Sequence, residues 1–276
     1  MIGLGLALAV ASAILINGGY ALQHSSASQM PALSLRRPIG SLRSLFGERR
    51  WLTGFLAGIA GWVVYVVALG LAPLSLVQAA AAGGIALLAV GLALRPAERL
   101  GVAAALAGLV LLPLSLGAHV SSGHGSARAV ALWMLGSAVA AALATRLLPA
   151  GAGLGTAAGV LYAAGDVGTK AAVVGGARLW FVPALLACHG LAFVCLQLAF
   201  QRGGRLGTAG LAVLWTNALP ILAGTLVFGE AIPEGWRGTA RVVAFALVLL
   251  GAVVLSRLST DAGTRAGAGR ATLSID

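Results

Sequence analysis

The sequence predicts an all-α polytopic membrane protein with about nine transmembrane helices, arranged as an inverted-topology repeat of four helices plus five. Three observations lead there. The chain of 276 residues is 59% hydrophobic and only 9% charged, whereas about a quarter of a soluble domain is charged. Its apolar residues fall into runs near the ~20 residues that a helix needs to cross a bilayer. The second half of the chain also repeats features of the first in the same order.

The runs follow one another along the chain. The first, 1–22, has no basic stretch before its apolar residues and is read as a retained helix, not a cleaved signal. The segment 23–50 after it carries Arg36, Arg37, Arg43, Arg49 and Arg50 against Glu48, so it cannot face lipid. Runs 51–71, 74–94 and 99–117 follow. The second half holds 128–148, 152–173, 179–200, 206–228 and 238–257. Counted alternately from an outer N-terminus, the inner loops and tail hold thirteen Arg and the outer side holds five basic residues. The positive-inside rule then favours an N-terminus outside and a C-terminus in the cytoplasm. Residues 1–117 are the expected first repeat, with 23–50 as its basic cytoplasmic loop, and 118–257 the second. Residues 258–276, polar and glycine-rich, are expected to form a disordered cytoplasmic tail.

The net charge of +11 is spread between apolar runs and has no aromatic-interleaved basic patch, so it reads as a topology signal and not as nucleic-acid binding. Cys188 and Cys195 lie seven apart on one expected helix, about 10 Å along its axis, too far to bridge each other. There is no HExxH, no GxSxG, no spaced carboxylate pair and no phosphate loop after a strand, so neither an enzyme nor a nucleotide-driven pump is expected, and no cofactor.

The internal repeat carries more than any single residue. In AVASAILINGGYALQH, Ala11, Leu15, Gly19 and His24 fall on Ala157, Leu161, Gly165 and Lys170 of GTAAGVLYAAGDVGTK. Trp51, Leu56, Gly61 and Leu69 then fall on Trp180, Leu185, Gly190 and Leu198, and Leu94 and Glu98 on Leu226 and Glu230. Helices one to four thus match six to nine. An offset of five helices, an odd number, makes each pair cross the membrane in opposite senses, the organisation of many secondary transporters with a site between the repeats.

The stretch WTNALPILAGTLVFGE, with Pro220, Gly224 and Gly229-Glu230, resembles the second repeat of EamA-type members of the drug/metabolite transporter superfamily. GLGLALAVASAIL, LGLAPLSLVQ and the Lys ending the sixth helix are similar to the nine-helix NIPA-like branch, whose eukaryotic members are associated with magnesium transport. The resemblance covers about residues 3 to 257. It implies a fold of five helices per repeat from which the first helix is missing. Relatives continue with Pro after the Gln or Thr of LSLVQAAAA, where this chain has Ala79.

The candidate site follows from the polar residues inside the runs. The stretch AAGDVGTKAA puts Asp166 and Lys170, the single Lys of the chain, four residues apart among Ala, Gly and Val. A charge at the bilayer centre costs roughly 2.5–3.5 kcal/mol and an i,i+4 pair returns only about 0.2–0.5 kcal/mol. Lys170 could snorkel to headgroups from the end of its helix, but Asp166 needs protein or a water-filled cavity around it. The repeat sets Tyr20 and His24 at the matching positions of the first helix, so a cluster of Asn17, Tyr20, His24, Asp166 and Lys170 is expected, able to exchange a proton or hold a cation. Gln78, Gln197, Thr216 and Asn217 suit a solute pathway or interhelical hydrogen bonds. His189 is expected to be a packed, neutral histidine, Glu98 and Glu230 to be solvated, and His119 and His124 to make at most a weak metal site; the metal is left unknown. Gly151, Gly155 and Gly159 clear one helix face for close packing. The function expected is transport of a small solute across the inner membrane, with a NIPA-like divalent-cation transporter and a non-transporting scaffold as alternatives. Its partners are the lipid bilayer and a small molecule or ion, and a homodimer is compatible with this. One buried acid suits Mg2+ poorly.

Overall fold

The structure is a computed structural model that describes residues 1–27, 46–89, 96–115, 123, 125–202, 205–251, 253 and 254. All regular structure among the described residues is helical. In order it comprises α1 (Ile2–Ala27), α2 (Arg49–Leu71), α3 (Leu74–Ala89), α4 (Pro96–Leu114), α5 (Ala127–Leu147), α6 (Ala150–Val173), a 3-10 turn (Gly176–Trp180), α7 (Phe181–Arg202) and α8 (Arg205–Leu226). A last helix, α9, covers 236–251. Most of the expected basic loop and the whole of the expected tail lie outside the described residues.

Local chemistry sets the helix ends. Glu48 caps α2 by accepting from Arg50 N at 3.3 Å, and Ser126 caps α5 by accepting from Ala129 N at 3.0 Å, each satisfying an amide that the helix itself cannot. α2 ends where Ala72 turns extended (φ −143, ψ 160), and Pro73, which has no N–H to lose, leads into α3. α6 ends at Gly175 and Gly176, both left-handed at φ 79 and 59, a conformation that glycine adopts without steric cost.

Several helices are built to face lipid. In α2, Leu56, Ile59, Val63 and Val67 form an exposed stripe at helical spacing, and Leu132, Leu135, Val139 and Leu143 do the same in α5. A large uncovered apolar face of this kind has bilayer as its natural partner. Among the described residues, four helical stretches are long and apolar enough to cross a membrane: Ile2–Gly19, Arg49–Leu71, Ala127–Leu147 and Gly176–Ala199. Leu74–Gly83, Arg99–Leu114 and Leu211–Leu226 are shorter. Among the described residues, four of the expected nine spans meet this measure and the others fall short of it, in a chain with the shape of a multi-pass membrane protein. The reason is clearest in α6. Sixteen of its 24 residues are buried, so it is sheathed by other helices and can be rich in Gly and Ala and carry Asp166 and Lys170.

Packing has a regular plan. α1 lies against α2 and α3, and α6 lies against α7 and α8. α3 contacts α4 and crosses α8, while α5 covers α6. Leu69, Leu74, Leu76, Val77, Leu112, Val130, Val167 and Val248 are fully buried where α2, α3, α4, α5, α6 and α9 converge. Small residues permit these approaches. A Cβ on Gly19 would lie 2.5 Å from the Gly54 carbonyl oxygen, and one on Gly159 would lie 2.6 Å from the Ala212 carbonyl oxygen on α8. The expected glycine stripe is thus in use at Gly159. The contact with α5 falls to Gly153, whose Cβ would lie 2.6 Å from the Ala144 carbonyl oxygen.

Gly54→Ala is expected to destabilise the protein by about 1–3 kcal/mol, the usual effect of overpacking, because the new methyl meets Gly19 O, Leu22 Cβ and Gln23 N within 3.0 Å. Gly190→Ala, where nothing lies within 4 Å, is expected to be neutral or stabilising. Thermal unfolding of the two variants in lipid nanodiscs compares them directly.

Candidate functional site

The break between α2 and α3 strands backbone groups on both sides, because the last carbonyls of one helix and the first amides of the next have no partner within their own helix. Two charged side chains from the second half of the chain satisfy them. Lys170 Nζ on α6 donates to Leu69 O at 2.7 Å and Ala72 O at 2.8 Å. Glu230, just beyond α8, accepts from Leu74 N at 2.5 Å and Ser75 N at 2.9 Å. Each charge also has the sign that complements its helix dipole. Lys170 is 6% exposed and Glu230 6%. Gly224 leaves room for this arrangement, since a Cβ there would meet the Glu230 carboxylate and Ser75.

Arg241 on α9 makes a similar tie at the end of α4, donating from Nη2 to Ser115 O at 3.1 Å and from Nε to Ser115 Oγ at 3.3 Å, with Nη1 on Ala231 O at 3.1 Å.

One turn before Lys170, Asp166 is buried against α7. Its Oδ1 lies 3.6 Å from His189 Nε2, and His189 Nδ1 lies 2.9 Å from Leu185 O one turn back on α7. Tyr162 and Trp62 meet the imidazole edge-on, with ring centroids 5.9 and 6.0 Å away. The ring sits directly on the α6 backbone at Gly165, where a Cβ would overlap it. Tyr65 on α2 lies beside Asp166 and donates its hydroxyl hydrogen to Gln78 Oε1 at 2.6 Å.

Gln78 carries this chain across to α8. Its Nε2 donates to Thr216 O at 2.8 Å and to Asn217 Oδ1 at 3.2 Å. Thr216 O is free to accept because Pro220, four residues on inside α8, has no N–H to offer it. Asn217 is held in turn by donating to Val213 O at 2.7 Å. Asp166 and His189, Tyr65, Gln78, and Thr216 with Asn217 therefore form one polar line from α6 and α7 through α2 and α3 to α8.

Several expectations are corrected here. Asp166 and Lys170 do not pair, because Lys170 is committed to the α2 carbonyls and Asp166 faces His189. Nor does Lys170 snorkel, since it is buried. Asn17 does not join Asp166. It donates to Ala13 O of its own helix at 2.8 Å, on a helix that packs on α2 and α3. The side chains of Tyr20, His24 and Glu98, together with His119 and His124, lie outside the described residues. Gln197 is half-buried on α7, two turns beyond His189. α3 continues as helix through Ala79. Glu230 is a buried cap, not a solvated end, and its place in the GE pair was the signal for it. Tyr65 and His189 were not selected from the sequence. His189 has a usable signal, a polar residue in a strongly apolar run, whereas nothing in the sequence marks Tyr65.

Lys170→Met and Glu230→Ala are each expected to lower stability by roughly 1–3 kcal/mol or more, since each leaves buried backbone groups unpaired. Glu230→Gln, which keeps one acceptor, is expected to be milder. Asp166→Asn added to Lys170→Met should not restore the membrane abundance lost in Lys170→Met, because the two side chains serve different partners. Abundance and melting temperature of the single and double variants check this.

Comparison with protein-family models, curated proteins and solved structures finds no match for the chain.

Proposed function

We propose that the protein is a secondary transporter that moves a small solute across the cytoplasmic membrane by alternating access. One observation carries this. α1 packs on α2 and α3 as α6 packs on α7 and α8, and the two sets meet where α3 crosses α8, with Gln78, Thr216 and Asn217 at the crossing. Paired repeats of opposite sense with polar groups at their junction are the working parts of such transporters. A scaffold has no need of a buried polar line through five helices.

The sequence resemblance to EamA-type and NIPA-like drug/metabolite transporters supports the same reading, with residues 1–117 and 118–257 as its two repeats. For topology, the N-terminus is proposed to lie outside and the C-terminus in the cytoplasm. Arg49, Arg50, Arg99, Arg146, Arg202 and Arg205 fall at helix ends that this topology assigns to the cytoplasmic side, against Arg128, Arg178, Arg237 and Arg241 on the other. For substrate, a small organic solute is favoured over Mg2+, which binds through carboxylates and retained water. Around Asp166 the described donors are one imidazole and one phenol, with no second carboxylate, and no group of three or more His, Cys, Asp or Glu occurs among the described residues.

Reconstitution in liposomes with a panel of organic solutes and divalent cations tests the function. Flux of an organic solute is expected, reduced roughly tenfold by Gln78→Leu, as when about 1.4 kcal/mol of transition-state binding is lost. Mg2+ flux that depends on Asp166 would reverse the choice of substrate, and correctly inserted protein that moves nothing would sink the transporter reading. Reporter fusions after residue 40 and at the C-terminus are expected to read cytoplasmic.

A further inference from the structure

We propose that Asp166 and His189 together form a binding site for a single exchangeable proton, and that the hydrogen of Tyr65 reports its occupancy to the α3–α8 crossing. As the identity of a coupling ion, the inference rests on the transporter reading. The proton site itself does not.

The argument starts from the imidazole. Nδ1 of His189 faces the Leu185 carbonyl oxygen at 2.9 Å. A carbonyl only accepts, so Nδ1 carries a hydrogen. A neutral ring with its hydrogen on Nδ1 has a bare lone pair on Nε2. That nitrogen lies 3.6 Å from Asp166 Oδ1. An ionised carboxylate there would set lone pair against lone pair inside a packed helix interface, where little water screens them. The observed geometry is the one that holds a proton, on Nε2 as an ion pair or on Oδ1 as a neutral acid and base. The two forms carry the same proton count and belong to the pair as a unit.

Among the described residues, the surroundings add no second carboxylate or imidazole to the pair. α7 contributes His189 and, beside it, Cys188. α6 itself contributes Tyr162, and Lys170 one turn away, which is occupied by the α2 carbonyls. α2 contributes Tyr65 and the indole of Trp62. Glu230 is occupied by the α3 amides. Met134 of α5, beside Gly168, and Thr216 and Asn217 of α8, held by Gln78, do not titrate.

Loss of the proton to water breaks no other covalent bond and leaves two acceptors face to face. The ring cannot simply retreat, because it rests on Gly165 with no side chain between, and turning it sacrifices the Leu185 bond. Relief comes by separating α7 from α6 or by drawing in another hydrogen. Tyr65, beside Asp166, carries one. This hydroxyl has one hydrogen, which Gln78 Oε1 accepts at 2.6 Å, and the Asp166 carboxylate lies beside it. With the pair loaded, it points to Gln78, whose amide holds Thr216 and Asn217 on α8. With the pair empty, the full carboxylate charge draws the hydrogen away, and Gln78 loses the partner that orients it. Proton occupancy thus selects between two hydrogen-bond arrangements at the junction of the repeats.

The test uses the full chain in nanodiscs, with the proton alone as probe. A step from alkaline to acidic pH is monitored with an indicator dye in weak buffer. Wild type is expected to take up about one proton per chain more than Asp166→Asn and than His189→Gln, as a pair sharing one proton requires. Equal uptake by all three overturns the proposal. A second measurement needs no variant: wild-type infrared difference spectra between the two pH values should show carboxyl and imidazole bands that shift on isotopic labelling of Asp and His, and their absence also overturns it. Tyr65→Phe should keep the proton but lose the accompanying amide change of labelled Gln. Proton uptake without solute flux would retain this site and sink the transporter reading, and flux without the extra proton would do the reverse.

Discussion

The structure depends on a backbone break that has to be satisfied from inside. Where α2 gives way to α3, carbonyls and amides lose their helical partners at a point enclosed by other helices. Neither water nor lipid can supply those hydrogen bonds, and each unsatisfied group is expensive. Lys170 and Glu230 supply them with opposite charges on the two sides of the same break. Both come from the second half of the chain. The two halves are therefore fastened by obligatory polar contacts and not by apolar packing alone, which has little preference for one register over another.

That fastening also sets the register of the candidate site. Lys170 and Asp166 are one turn apart on a rigid helix, so fixing the ammonium on Leu69 and Ala72 fixes the height of the carboxylate beside Tyr65. On the other side of the break, the turn at Ala72–Pro73 folds α3 back so that Gln78 reaches the Tyr65 hydroxyl at 2.6 Å. The anchors hold the site without being part of it.

Composition follows from the same geometry. α6 is surrounded, so bulk there would hold its neighbours away. Gly159 admits α8, Gly153 admits α5, and Gly165 seats the imidazole of His189. Pro220 works in the opposite sense, removing an amide so that one carbonyl of α8 becomes available to Gln78. In a helix exposed to lipid a freed carbonyl would be a liability. At a crossing with α3 it becomes a contact between the two halves of the chain.

The sequence by itself determined the class of the protein, because a low charge content and long apolar runs admit few other structures. It also marked Asp166 and Lys170, since charges are rare in such runs, and Gln78, Thr216 and Asn217, since buried amides and hydroxyls need partners. It could not say which partner each would find. Sequence spacing suggested that Asp166 pairs with Lys170, yet a side chain meets whatever the neighbouring helices bring close to it: for Asp166 that is His189 on the next helix, and for Lys170 and Glu230 it is backbone about a hundred residues or more away along the chain. Tertiary structure alone decided that Lys170 would meet the carbonyls of α2, that Glu230 would cap α3, and that Asp166 would face His189. Helix identity is written locally in apolar length and caps. Contacts between helices depend on which backbone approaches which, and that is settled only when the whole bundle has packed.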